Sequence, residues 1–375
     1  MLVVGPVYLD HMLAVDGPLG PIAGPRINVP CDRVILDHSV YERRRHNWPP
    51  DRLLVHHATG QSIQIVAGHQ KALPETGSIT TDRLLGASLP WHRRVRLLGY
   101  RRMSGGMGAG FAAALRCRLI SAAGSDLAGV PDADARFLAA ELRKSSVDLT
   151  WQSVPQARTD STLVLTNGRL GDKLAIGRRQ ILGRFEHNAV MRAAIERAQV
   201  VCVAGVASRL AASVFDQCGP KPYVVWAPTW RNVPLDPALA AQKRIDYLAC
   251  NEREWEALHG ARWFGSRVPL VTITRGRQGA SVFYRDDQRR QCRHDVPAFG
   301  AAIAPVNTNH AGEAFAAAFL ACLVDLLGPA KLPDGRLQRQ WIHQAATEAA
   351  VAAHLQVQTA GFGFADRRQI HAAMR

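Results

Sequence analysis

The sequence predicts an α/β protein: a doubly wound, mostly parallel sheet with helices on both faces and a small β-rich lid. From Leu97 onward, short aliphatic runs alternate with helical stretches, the pattern of parallel strands joined by crossover helices. Several of those runs, such as Val200 to Val206, are apolar throughout, as strands covered on both faces are. Hydrophobic residues make up 47% of a 375-residue chain and charged ones 21%, enough for a large core and a smaller appendage.

The elements follow in order. Met1-Leu2-Val3-Val4-Gly5 reads as a buried strand, followed by a turn reaching Asp10. Residues 21 to 90 read as a small β-rich subdomain or lid with an extra loop. They hold the polar run Tyr41 to Pro50 and alternating stretches such as Ser62-Ile63-Gln64-Ile65-Val66. Met103 to Gly110 reads as a glycine turn running into an alanine-rich helix, Phe111 to Leu115. Strand Leu119 to Gly124 and helix Asp134 to Ser145 come next. Thr162 to Thr166 alternates and ends on Asn167-Gly168, a hairpin signal. Then come helix Met191 to Ala198 and strands Val200 to Val206, Tyr223 to Trp226 and Ile245 to Ala249. Helix Glu252 to His259, strands Leu270 to Thr274 and Ala280 to Tyr284, and helices Gly312 to Leu327 and Leu337 to Leu355 complete the chain.

Composition narrows the function classes. No basic and apolar leader precedes the first strand, and the longest apolar stretch, Ala314 to Val324, is too short to span a bilayer, so a cytoplasmic protein is expected. Seven widely spaced cysteines without a C-x-x-C pair argue against a disulfide framework or zinc site. The net charge of +15 admits a nucleic-acid partner, but the arginines fall in short scattered groups without interleaved aromatics. The same positive field would attract a phosphorylated ligand.

The most informative segment is Asn307-Thr308-Asn309-His310-Ala311-Gly312-Glu313-Ala314-Phe315. A polar turn with small residues opens a long helix, and the first amides of a helix form an anion site. Glu313 lies beside it, an arrangement suited to phosphoryl transfer, where amides neutralise charge and a carboxylate takes a hydroxyl proton. The same residues also suit an acidic first turn that merely complements the helix dipole.

That segment resembles the D-T-T-G-A-G-D-A-F signature of the ribokinase-like, phosphofructokinase-B (PfkB) carbohydrate kinases. Other similar segments follow in the family's order. Gly5 and Asp10 resemble the first strand and sugar-binding aspartate, and Gly105-Gly106-Met107-Gly108-Ala109 the G-G-x-G-A-N substrate motif. Gly124 to Gly129 resembles G-x-D-x-x-G, and Ala227-Pro228-Thr229-Trp230-Arg231 resembles D-P-N-x-R. Asn251-Glu252-Arg253-Glu254 fits N-x-x-E, and Thr274-Arg275-Gly276-Arg277-Gln278-Gly279 fits T-x-G-x-x-G. The departures are Glu313 at the catalytic aspartate, Asn307 and His310 at the first aspartate and glycine of the signature, Gly110 at the substrate-motif asparagine, and Ala227 and Thr229. Residues 11 to 104 also exceed the family's gap before the glycine motif, so an insertion is expected there.

The resemblance implies one ribokinase-like domain over residues 1–375, with lid and insertion elements within about 11–100 and 155–185. It implies an ATP- and Mg2+-dependent phosphotransferase acting on a hydroxyl of a small sugar or nucleoside-like substrate. Glu313 would be the base, and His310, Ala311 and Gly312 the anion hole. Asp10, Gly105 and Gly106 would bind substrate, and Thr274, Gly276 and Gly279 the nucleotide. Asn251 and Glu254 would act on the metal indirectly. It leaves room for a homodimer through the lid. The alternative is a catalytically impaired relative that binds a sugar, nucleotide or protein partner.

Overall fold

The computed structural model describes residues 1–16, 33–36, 52–56, 62–67, 77–84, 94–167, 172–178, 181–229, 244–258, 268–300, 302–303, 306–329, 332, 337–359 and 361–375. The polar run Tyr41 to Pro50, together with Gly168, Trp230 and Arg231, lies outside them. The chain forms two units. The first comprises Met1–Val7, Gly105–Ala157 and Ile181–Arg375, and the second Tyr8–Ser104 and Arg158–Gln180.

The first unit is built on a nine-stranded sheet. Its strands in chain order are β1 (Leu2–Val4), β8 (Arg118–Ser125), β9 (Asp148–Pro155), β12 (Val200–Ala204), β13 (Tyr223–Ala227), β14 (Tyr247–Asn251), β15 (Leu270–Thr274), β16 (Ala280–Arg285) and β17 (Gln291–Val296). The spatial order is β17-β16-β15-β14-β13-β12-β1-β8-β9. All neighbours are parallel except β15–β16 and β16–β17. The helices are α1 (Met107–Leu115), α2 (Ala133–Lys144), α3 (Ala189–Arg197), α4 (Ser208–Gln217), α5 (Glu252–Ala257), α6 (Ala311–Leu327), α7 (Arg339–Gln358) and α8 (Arg367–Ala373).

Both faces of this sheet are covered. The residues of β12 and β13 are all buried, as the apolar runs VVCVA and YVVWA require. Side chains alternate across a strand. Leu2, Val4, Val201, Val203, Val224 and Trp226 therefore pack with Met191 and Ile195 of α3 and Leu210 and Phe215 of α4. From the opposite face Tyr247 meets Phe319 of α6, with ring centroids 5.7 Å apart. Trp226, 1% exposed, anchors the first layer edge-on against Phe215.

The second unit holds an eight-stranded sheet ordered β11-β10-β2-β7-β6-β5-β4-β3. Its strands are β2 (Tyr8–Asp16), β3 (Arg33–Leu36), β4 (Arg52–His56), β5 (Ser62–Ala67), β6 (Gly77–Leu84), β7 (Arg94–Gly105), β10 (Ser161–Asn167) and β11 (Asp172–Arg178). β10 and β11 pair antiparallel with Asn167 opposite Asp172, a hairpin at the expected position.

Some elements differ from the sequence reading. Asp10 lies inside β2, not in a turn, because Leu9 donates its N–H to the Asp160 carbonyl and the chain joins β10. Helix α1 begins at Met107, so Gly108 and Gly110 are helical and not part of a turn. Only glycine permits this packing at its start. A Cβ on Gly108 would lie 2.6 Å from Gly5 Cα, and one on Gly5 would lie 2.7 Å from the Ala204 carbonyl oxygen. Strands β9 and β17 and helices α4 and α8 had no legible signal. Among the described residues no helix is long and apolar enough to cross a membrane, and six cysteines are free thiols.

Candidate active site

The carboxyl ends of the parallel strands β14 and β15, a place where ligands of doubly wound sheets bind, share a cavity lining with the starts of α6 and α1, so four segments of the first unit come into play. Asn251 and Thr274 pair in register at the ends of β14 and β15. The Asn251 carboxamide accepts from the N–H groups of Arg253 and Glu254, and Glu254 Oε2 accepts from the Asn251 N–H at 3.0 Å. This reciprocal cap fixes the start of the short α5 and turns Glu254 toward the sheet end.

After Thr274 the chain makes one 3-10 turn, Gly276–Gln278, and reverses at Gly279 into β16. Gly279 has φ 88°, and a Cβ there would lie 2.1 Å from the Val296 carbonyl oxygen, so the reversal requires glycine.

The third segment is the loop into α6. The Asn307 carboxamide accepts from the Asn309 N–H at 3.0 Å, and Val306 and Asn307 donate to the Val357 carbonyl at the end of α7. His310 is the N-cap, in the left-handed region at φ 64°, with no side-chain capping bond. The amides of Ala311 and Gly312 thus belong to a first turn without intrahelical partners. Gly312 is exposed, while His310 is 8% exposed. The fourth segment, Gly105–Gly106 at the end of β7, leads into α1, with Gly106 as N-cap at φ 99°.

Two cavities meet at the α6 start. The larger, about 290 Å³, has apolar walls from Val296, Pro297, Phe299, Ala350 and Val357, and runs past Gly276 and Gly279 to Thr308, Ala311 and Gly312. The smaller, about 160 Å³, is lined by Asn251, Glu254, Glu313, Phe111 and Met107. Thr274 and Gly312 line both. An apolar slot therefore ends on helix amides, and two carboxylates wait beyond them. Burial pushes the Glu254 carboxyl up from 4.5 to about 7, with the Glu313 charge adding to the rise and the Asn251 N–H opposing it. The His310 ring lines neither of these cavities.

The structure thus gathers Asn251, Glu254, Thr274, Gly276, Gly279, Ala311, Gly312 and Glu313 around two adjoining cavities. Asp10, 5% exposed, belongs to the second unit, on the strand position opposite Thr162 of β10, and not to the central sheet. Sequence reasoning missed the apolar wall Val296–Phe299 and its partners on α7. The isolated Pro297 was the only local hint that a strand ends there.

Comparison with known proteins agrees with the fold and shows the family. The pfkB family carbohydrate kinase description matches residues 100–367. A ribokinase from Giardia lamblia superposes with a TM-score of 0.63 at 16% identity, covering 100% of this chain and 98% of that one. An Arabidopsis thaliana ribokinase complexed with ribose and ATP gives 0.60 at 16%, again over 100% and 98%. A nucleoside kinase from Methanocaldococcus jannaschii gives 0.58 at 13%, over 99% and 96%. No curated protein matches.

Proposed function

Because the chain belongs to the pfkB family of carbohydrate kinases, we propose that it is an ATP-dependent phosphotransferase acting on a hydroxyl of a sugar or nucleoside-like substrate. The observation that carries this reading is the junction of the two cavities at Thr274 and Gly312, with the Glu313 carboxylate just beyond the first amides of α6. ATP suits the larger cavity. Its apolar walls would sandwich the base, and the phosphates would reach the amides of Ala311 and Gly312. In the Arabidopsis relative ATP is present with ribose.

Glu313 would take the proton from the acceptor hydroxyl as its oxygen bonds to the γ-phosphorus and the bond to the leaving ADP oxygen breaks. Charge spread over the transferring group would be met by the Ala311 and Gly312 amides. Gly105 and Gly106, where the chain enters α1, would hold the acceptor.

Mg2+ fits the donor set in one respect: two carboxylates share the small cavity, where burial raises the Glu254 carboxyl and the Glu313 charge adds to the rise. Among the described residues no group of three or more His, Cys, Asp or Glu could hold a metal alone. Mg2+ would therefore take most ligands from phosphates and water, with Asn251 and Glu254 acting at one remove. It would supply neutralisation of phosphate charge.

The test is turnover of ATP, with and without Mg2+, against a panel of sugars and nucleosides. Glu313→Gln should lower turnover by roughly 10² or more with little change in acceptor affinity. Glu313→Asp should also lower it, since a shorter carboxylate stops short in a pocket built around glutamate. Phosphotransfer unchanged in both variants would remove Glu313 as the base, and none in the parent would leave a binding protein.

A further inference from the structure

His310 and Gly110 each carry a local cost with no local explanation. A non-glycine N-cap in the left-handed region is uncommon, although histidine tolerates it better than most residues. Gly110 sits inside α1, where a glycine costs about 0.5–1 kcal/mol relative to alanine. Its neighbours Ala109, Ala112, Ala113 and Ala114 show that alanine suits this helix. Gly108 is explained by its approach to Gly5, whereas the three atoms nearest a Cβ on Gly110 belong to His310 and Glu313.

What Gly110 faces is the start of α6. A Cβ on it would lie 2.9 Å from His310 Nδ1, 3.1 Å from Glu313 Cγ and 3.2 Å from Glu313 Cβ. No shift of a flexible chain end relieves all three contacts, because two of them fall on the base of the Glu313 side chain. The imidazole is held on its other side by Phe362, edge-on at 5.3 Å, and Phe364 at 6.1 Å. Its Nδ1 lies 3.4 Å from Glu313 Oε1, one helical turn along. That is long for a formed N–H···O bond, but catalytic hydrogen bonds are often long before substrate tightens them.

We propose that Gly110, His310 and Glu313 act as one unit, in which His310 is a positioning residue holding the Glu313 carboxylate through Nδ1 and Gly110 provides the space both side chains occupy. This rests on the reading of Glu313 as the base. A glutamate has one more rotatable bond than an aspartate, and an unanchored carboxylate spreads over several rotamers. Misplacement by about 1 Å can cost about a hundredfold in rate. The imidazole, itself locked by two phenylalanine rings and the glycine surface, ties down Oε1 and leaves Oε2 to accept the proton. The donor is the Nδ1–H of the ring, and it stays on the ring throughout the reaction.

The test compares His310→Asn with His310→Asp. Both substituents tolerate the left-handed region, and they have nearly the same shape. Asparagine can place an N–H where Nδ1 stands, whereas aspartate places a carboxylate oxygen there, facing Glu313. The expected result is that His310→Asn keeps kcat within about threefold, while His310→Asp lowers it by tenfold or more with KM for ATP little changed. Equal kcat in the two variants overturns the proposal. Two readouts need no turnover. In 15N-imidazole spectra, Nδ1 of His310 should carry the proton and its signal should move in Glu313→Gln; a ring protonated only at Nε2 overturns the proposal. In thermal unfolding, Gly110→Ala should lower Tm clearly in the parent and less in the His310→Gly background, where the 2.9 Å contact is gone and the two to Glu313 remain; equal losses refute the shared space. If Glu313→Gln leaves turnover intact, the base reading fails, whatever these variants do. If Glu313→Gln abolishes turnover but His310→Asp does not lower it, the base stands and the positioning role falls.

Discussion

Glu254 offers a perturbation whose size follows from its surroundings. Burial, reinforced by the Glu313 charge, lifts its carboxyl from 4.5 to about 7. The sign is fixed by linkage. A carboxyl that binds its proton more tightly folded than unfolded stabilises the fold at low pH and loses that contribution as pH rises through the folded value. The window therefore runs from about 4.5 to about 7. At about 1.4 kcal/mol per pH unit the full span is on the order of 3 kcal/mol. Glu254 is only partly buried, and solvent screening brings the expected effect to about 1–2 kcal/mol. Glu254→Gln keeps the cap, because the glutamine side-chain oxygen can still accept from the Asn251 N–H. Urea unfolding of parent and variant at several pH values measures the difference. The variant should be close to the parent near pH 4.5 and pull ahead of it by pH 8. A constant difference across that range would refute the argument that burial, reinforced by Glu313, raises the Glu254 carboxyl. Mg2+ together with nucleotide should narrow the gap in the parent, since a cation nearby offsets both carboxylates.

Further outcomes test the rest of the site. Ala353→Trp should fill the larger cavity and weaken ATP binding at least tenfold in calorimetry, while leaving the circular dichroism spectrum unchanged, because Ala353 lines that cavity on the apolar side. Gly279→Ala should lower Tm by several degrees and impair nucleotide binding, since its Cβ collides with the Val296 carbonyl at a positive φ. Trp226→Ala, at a residue 1% exposed between β13 and α4, should cost about 3–5 kcal/mol in denaturant unfolding without a specific effect on KM in material that remains folded.

The sequence by itself determined what is written locally. Strands such as Val200–Ala204 are apolar at every position because both faces are covered, and that pattern needs no partner to be read. The start of α6 is likewise local: small polar residues, then a helix former run, with Glu313 in the first turn. The fold class and family follow from those signals and their order.

Tertiary structure decided the rest. β17 was invisible because Gln291, Arg293 and Asp295 face solvent and only pairing with β16 makes the segment a strand, yet its end supplies one wall of the larger cavity. Asp10 read as part of a turn because nothing near it in the sequence reveals β10, the strand it pairs with. Gly110 read as a lost asparagine, and its meaning appeared only when α1 and α6 packed and set it against His310 and Glu313. In each case the deciding contact joins residues far apart in the chain. Local propensity records the cost at each position, and only the packed fold shows what that cost provides.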